Sequence, residues 1–339
     1  MALIWFEGFD YLPTATTPVA LLASLGFYDL QNCEIVSPGR FGGQAIQTFL
    51  GVSPGDFTRA LTSHYTTAQL GGARIGVGGG GDRVNFVDLT TGTTQCYVIF
   101  GDYGIVSAWK GDGTFLGATG GNAYVSAAWA YYEFGVTIGA GGNGALEVRV
   151  NAVPVLQLVN VDTQVSANAW FNGITVSAAP VTWDDFYMTD ATGPAPWNGF
   201  LGNVRVRVLQ PNGAGAHTAW TASGSLPNWE SVLNLNVDDS LYVYDDETGD
   251  YDLYQLTPVL PDVPIFGAQI KLAARQDDAT QRFLKSRLLS GSATAYGGSY
   301  ALNQNYAYQT DVFQVDPNTG SPWTALALNS AQIGPQVAG

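Results

Sequence analysis

The sequence predicts an all-β chain built as two β-sandwich domains, and three observations carry that prediction. Composition is the first. Gly accounts for 42 of 339 residues and aromatics for 12%, while charged residues reach only 12%, about half the usual share. With three Lys and six Glu the chain lacks the material of a coiled coil or helical array. Apolar content of 46% is enough to build a core, so disorder is excluded. The second observation is period-two alternation, with helical periodicity nearly absent. The third is a turn signal every ten or so residues, such as Gly71-Gly72, Gly111-Asp112-Gly113 and Asn143-Gly144. Short strands at that spacing mean a sandwich or barrel.

Taken in order, residues 18–25 form a short helical piece. Residues 78–81 are four glycines without the Lys-Ser/Thr that a phosphate loop requires, and read as a hairpin tip. In 145–150, Leu146, Val148 and Val150 point one way and Glu147 and Arg149 the other, the pattern of a half-buried antiparallel strand. Residues 189–198, with Gly193, Pro194 and Pro196, read as the linker, dividing the chain into domains 1–192 and 193–339. In the second domain 200–209 reads as a strand, with Val204, Val206 and Val208 alternating against Arg205 and Arg207. Residues 267–275 and 282–289 flank a polar turn and read as a hairpin. Residues 306–315 read as a further strand and 323–330 as a short helix.

Lys plus Arg total 13 against 28 Asp plus Glu, a net charge of −15. That excludes nucleic acid and anionic membrane surfaces as partners, since both demand a basic footprint. The opening apolar run is too short for a secretory signal, and no stretch is long enough to span a bilayer, so membrane insertion is not expected. Cys33 and Cys96 match no metal spacing and read as buried free thiols.

Four segments of the first domain resemble the concanavalin A-like, laminin-G-like jelly roll. These are WFEGFDY at 5–11, PGRFGGQAIQTF at 38–49, the strand–turn–strand run at 131–156, and WDDFYMTD at 183–190. Ala152 stands where the pattern has Gly. The resemblance implies that 183–190 lies beside the first strand. The whole layout, with NTGSPWTALALNSAQIGPQV at 318–337, resembles structural proteins of tailed bacteriophages. That second resemblance implies a virion location after synthesis in the host cytoplasm, with other capsid or tail proteins as partners and a homo-oligomer, a trimer foremost.

The search for chemistry yields few candidates. His64 and His217 lie in different domains, so no Ser-His-Asp triad is expected. A glycosidase needs two facing carboxylates. Asp184 and Asp185 are adjacent, so on a regular strand they face opposite ways, and Asp185 reads as an acceptor of backbone N–H groups. The acidic run 238–252 holds Asp245, Asp246, Asp250 and Asp252, candidate ligands for calcium, although a solvated hairpin turning at 246–249 is the favoured reading of the run. No other cofactor is expected. Sugar binding needs an exposed aromatic with amide or carboxylate neighbours, for which Trp109, Trp129, Trp170, Asp102 and Asn122 are candidates. The expectation is therefore a non-enzymatic virion structural protein, a capsid decoration, head fibre or tail component. A carbohydrate-binding adhesin recognising a host glycan is the alternative and a glycan hydrolase the third.

Overall fold

The computed structural model describes residues 2–14, 19–49, 56–76, 81–177, 180–234, 237, 239–261 and 263–339. Gly78–Gly80 of the glycine run and Asp238 of the acidic run lie outside them. The chain divides into two compact units, Met1–Arg207 and Val208–Gly339.

Unit 1 opens with β1 (Leu3–Glu7), α1 (Val19–Ser24), β2 (Phe27–Gln31), β3 (Cys33–Val36) and β4 (Ala45–Thr48). Next come β5 (Asp56–Tyr65), β6 (Thr67–Gly76), β7 (Asp82–Asp88), β8 (Thr93–Phe100), β9 (Val106–Lys110) and β10 (Phe115–Ala118). It closes with β11 (Ala130–Thr137), β12 (Gly144–Val150), β13 (Val153–Val161), β14 (Phe171–Ser177) and β15 (Val181–Thr189). Sheet I runs β13-β12-β11-β6-β15-β4-β3, with β1 also on β15. Sheet II runs β10-β9-β8-β7-β14-β5-β2. Every pairing is antiparallel, the architecture of a jelly-roll sandwich. The pairing of β1 with β15, Trp5 opposite Met188 and Phe6 opposite Tyr187, is the one the resemblance implies.

The two inner faces meet in an aromatic core. Trp183, fully buried, lies 6.3 Å from Phe100, 6.2 Å from Tyr132 and 5.4 Å from Phe186. Rings of this size dominate core energetics because each removes a large apolar area from water. One ion pair shares the core: Arg74 grips Asp82 with two bonds, of 2.8 and 2.6 Å, and its guanidinium lies 4.4 Å from the Phe100 ring. Cys33 and Cys96 are buried thiols that form no disulfide, and Cys33 Sγ donates to Asp56 O at 2.9 Å. Between β12 and β13 a two-residue turn places Asn151 at φ 49° and Ala152 at φ 66°. Both residues are left-handed, as a hairpin turn that matches strand twist requires.

The stretch 200–209 is not a sheet strand. Val204 packs beside Ala73, Tyr131 and Tyr187 of sheet I, while Val206 N–H donates to the Asp185 carboxylate at 2.7 Å. Up to Val206 the alternation arises from an extended chain on a sheet surface, with the N–H groups of Leu201, Gly202 and Val206 taken by side chains instead of a neighbouring strand.

Unit 2 contains β16 (Pro211–Thr218), β17 (Thr221–Ala222), α2 (Asn228–Ser231), β18 (Val243–Tyr244) and β19 (Asp252–Leu256). Then follow β20 (Ala268–Ala274), β21 (Phe283–Ser290), β22 (Ala293–Tyr296), β23 (Tyr300–Ala301), β24 (Ala307–Phe313), α3 (Ala325–Ser330) and β25 (Gln332–Ala338). Sheet III runs β16-β19-β25-β21-β22, with β23 also on β21. A ribbon of β20 and β24 forms the opposite layer. Ile270 of the ribbon and Leu288 of sheet III share one core with Trp323 and Leu328. The expected hairpin of 267–275 with 282–289 is therefore corrected. β20 pairs with β24 and β21 with β22 and β25, because their apolar faces meet across the core instead of edge to edge. The acidic hairpin is corrected in the same way: β18 pairs with β17, and β19 with β16 and β25. α3 is N-capped, Thr324 Oγ1 accepting from Ala327 N–H at 3.1 Å.

Candidate functional site

The two outer faces of unit 1 differ in what covers them. Residues 197–206 lie over sheet I. Phe200 sits on Gly135, where a Cβ would come within 2.9 Å of its Cζ, and Arg149 stacks on the same ring at 4.1 Å. Leu201 N–H donates to Tyr187 Oη at 2.9 Å, and Gly202 N–H to Glu133 Oε1 at 2.8 Å. Tyr187 Oη–H in turn donates to Glu133 Oε1 at 2.5 Å. Burial, reinforced by the Glu133 charge, holds the Tyr187 phenol far above its ordinary range, so it stays neutral.

A β-bulge with Asp185 at φ 52° breaks the alternation of β15 and brings both neighbouring carboxyls to Arg40. Asp184 Oδ2 accepts the Arg40 backbone N–H at 2.9 Å, and Asp185 Oδ2 takes its guanidinium at 3.1 Å. The expectation that Asp184 and Asp185 face opposite ways is thus corrected, since a bulge re-aims side chains. Asp185 does accept a backbone N–H, that of Val206. Burial and the Asp185 charge push the Asp184 carboxyl up to about 7. Where 197–206 cover it, this face is a hydrogen-bonded structural layer.

Sheet II presents the contrasting face. Its register aligns one residue from each of seven strands in a single row: Phe115, Trp109, Tyr97, Asn85, Thr175, Thr58 and Tyr28. Successive partners across antiparallel strands point to the same side, so this row crosses the outer side of the sheet, open at its aromatic end and closed in at its middle, where Asn85 is 8% and Thr58 2% exposed. Six interstrand spacings give it a length of roughly 29 Å. One end is aromatic. Tyr97 and Trp109 lie parallel within 6° at 6.5 Å, and Phe115, 55% exposed, meets Trp109 edge-on at 5.1 Å. Trp109 Nε1 donates to Ser107 Oγ at 2.9 Å, which fixes the indole plane.

The floor is polar and small. Asn85 Nδ2 donates to Thr175 O at 3.0 Å and Ser177 Oγ at 3.1 Å, and the hydroxyls of Thr58 and Thr175 are 2.8 Å apart. Tyr28 closes the far end, 36% exposed. Arg83, exposed in the adjacent row, places its guanidinium 5.3 Å from the Tyr97 ring. Large aromatics at the ends and short hydrogen-bonding groups between them, of which Thr175 is the most open, put stacking surfaces and polar groups on one line.

Of the sequence candidates, Trp109 lies in this row. Trp129 packs against the covered face of sheet I with Leu201 and Val204, and Trp170 stacks on His64 at 3.7 Å. Asp102 and Asn122 are brought together at the end of the β8–β9 hairpin, where Asn122 N–H donates to Tyr103 O at 2.7 Å, and Tyr103 is 86% exposed. Tyr97, Phe115, Asn85, Arg83, Thr175, Thr58 and Tyr28 escaped the sequence reading. Their alternation is visible strand by strand, but only the register puts them in line.

The four acidic candidates of unit 2 are not gathered, and among the described residues no group of three or more metal-ligating side chains forms. Asp245 Oδ1 accepts Glu247 N–H, and Asp246 pairs with Arg282 at 3.4 Å. Asp250 O accepts from Trp220 Nε1. Asp252 is buried, with Ala219 N–H, Trp220 N–H, Asn228 Nδ2 and Tyr254 Oη–H all donating to it.

No protein-family model and no curated protein matches the sequence. Solved structures do match. The fold they share is a galectin-like, concanavalin A-like β-sandwich. An endo-β-1,4-glucuronan lyase from the fungus Trichoderma reesei aligns at 10% identity over 55% of this chain and 94% of its own, with a TM-score of 0.39. A marine alginate lyase from Aplysia kurodai aligns at 11% identity over 56% and 99%, TM-score 0.41. A Bacillus subtilis protein with a galectin-like fold aligns at 10% identity over 56% and 96%, TM-score 0.39.

The expectation of a non-enzymatic virion structural protein is corrected by these findings. Polysaccharide lyases recur among the matching structures, nothing in the comparisons places the chain in a virion, and the expectation that it is no enzyme falls with that reading.

Proposed function

We propose that unit 1 binds a polysaccharide chain laid along the outer face of sheet II, with Trp109, Tyr97 and Phe115 as stacking platforms. Thr175 and Asn85 supply the polar floor, with Thr58 buried behind Thr175, and Arg83 is the flanking cation. The observation that carries this reading is the unbroken register row from Phe115 to Tyr28. A row of this kind suits a ligand that is long, apolar on its ring faces and rich in hydroxyls at its edges. The part of sheet I under 197–206 is already occupied by the chain itself. The lyases among the matching structures act on glucuronan and alginate, so polyuronates belong among the probes.

The test is affinity electrophoresis of the full chain through gels holding alginate, a neutral β-glucan or no polysaccharide. Retardation by at least one polysaccharide is expected, with Trp109→Ala weakening it more than tenfold, as truncating a central aromatic anchor does. Retardation by none would overturn the proposal. Incubation with alginate, followed for unsaturated products in the ultraviolet, separates a binding face from a cleaving one.

A further inference from the structure

Unit 2 carries a cationic cluster that the reading above does not use. On the outer face of sheet III, Lys285 is register partner to Gln336, which bridges to Tyr251, and Arg287 is partner to Tyr296. These side chains form a layered assembly. The His217 ring stacks on Tyr251 at 4.0 Å, and the Arg287 guanidinium lies 3.7 Å from the Tyr251 ring centre. Lys285 Nζ stands 4.6 Å over the ring of Tyr296, which is 48% exposed.

The hydrogen bonding of Arg287 is one-sided. Nη1 donates to Tyr296 Oη at 3.0 Å and to Gln336 Oε1 at 3.1 Å. The other edge, Nε with Nη2, has no hydrogen-bond partner among the described residues, and Nε is buried without one. That edge is the fork that takes a carboxylate or sulfate through two parallel bonds. Carboxylates occupy most other basic groups of this acidic chain: Arg275 pairs with Asp239, and Arg282 with Asp246 and Asp278. Among the described residues neither Lys285 nor Arg287 has one. Two cations without a carboxylate partner among the described residues, two residues apart on one strand face and both against the partly exposed ring of Tyr296, amount to a preorganised receptor for an anion.

We propose that Arg287 and Lys285 form an anion-binding site on unit 2 that takes the carboxylate or sulfate group of an acidic polysaccharide, whose ring rests on Tyr296. That the anion is borne on a glycan rests on the function proposed above. The anion site itself stands on the geometry of Arg287.

The test uses the full chain, with alginate, a neutral β-glucan and sodium sulfate as probes. Arg287→Gln is expected to weaken alginate binding about tenfold, the worth of one charge-assisted contact, and to leave the neutral glucan unaffected. Arg287→Lys restores the charge but not the fork and recovers only part of the loss. Lys285→Ala, on the more open side of the cluster, flattens the salt dependence of alginate binding and serves if Arg287 variants do not fold. In 15N spectra the Arg287 Nε–H resonance shifts on titration with sulfate. Alginate affinity of Arg287→Gln within twofold of wild type, or an Nε–H resonance unmoved by sulfate and alginate alike, overturns the proposal. A sulfate-induced shift in a protein that retains no polysaccharide supports the anion site and removes only the glycan reading.

Discussion

Asp185→Asn tests how the covered face of unit 1 is held together. Asp185 has two jobs: its Oδ2 neutralises Arg40 at 3.1 Å, and its Oδ1 accepts Val206 N–H at 2.7 Å. The side chains of this pair are only 9% and 3% exposed, so water cannot replace the lost partner. Breaking one side of such a buried pair costs about 3–5 kcal/mol, because the remaining charge stays desolvated. Asn accepts the left-handed φ of 52° at this position as readily as Asp, so backbone strain does not confound the result.

Against a total stability of about 5–15 kcal/mol, the loss moves the urea midpoint well outside experimental scatter. Urea unfolding followed by tryptophan fluorescence gives the magnitude. Hydrogen exchange gives the location, with the Val206 amide losing protection. Arg40→Met in the Asp185→Asn background recovers part of the loss, since it removes the stranded charge. A loss below about 1 kcal/mol with the Val206 amide still protected would refute the assignment of this layer as a charge-locked structural face.

Three further outcomes follow. Ala152→Gly relieves a left-handed residue at φ 66°, worth about 1 kcal/mol, and raises the melting temperature by roughly 2–4 °C; a lower melting temperature counts against the turn. Asp184 is pushed up to about 7 in the fold from 3.8. Between those values the folded chain holds a proton that the unfolded one has released, so stability falls as pH rises through that window. The wild type should lose more stability from pH 5 to pH 8 than Asp184→Asn does, and equal losses contradict the shift. Tyr97→Ala, which removes the ring parallel to Trp109, should weaken polysaccharide binding about tenfold while leaving the melting temperature nearly unchanged, because the ring is half-exposed.

What the sequence revealed depended on whether the information was local. The alternation of Leu146, Val148 and Val150 is a property of one strand and appears in the structure as it reads. The β1–β15 pairing was legible through WFEGFDY and WDDFYMTD. Register is non-local, so the row joining Phe115 to Tyr28 was hidden although each member stood in plain view. Trp129 and Trp170 were indistinguishable from Trp109 by type, yet one ring packs with Leu201 and Val204 against sheet I and another stacks on His64. The 200–209 stretch misled because an extended chain on an apolar surface alternates as a strand does. β20 and β21 misled because sequence neighbours facing each other across a core carry the same pattern as neighbours in a hairpin.

The most direct test of the central claim compares Trp109→Ala with Trp170→Ala in affinity electrophoresis against the polysaccharide that retards the wild type most. If glycan lies along sheet II, Trp109→Ala loses retardation by more than tenfold and Trp170→Ala, outside the row, keeps it. Equal retention by both variants, or loss in Trp170→Ala alone, would contradict the assignment of the sheet II row as the glycan-binding face.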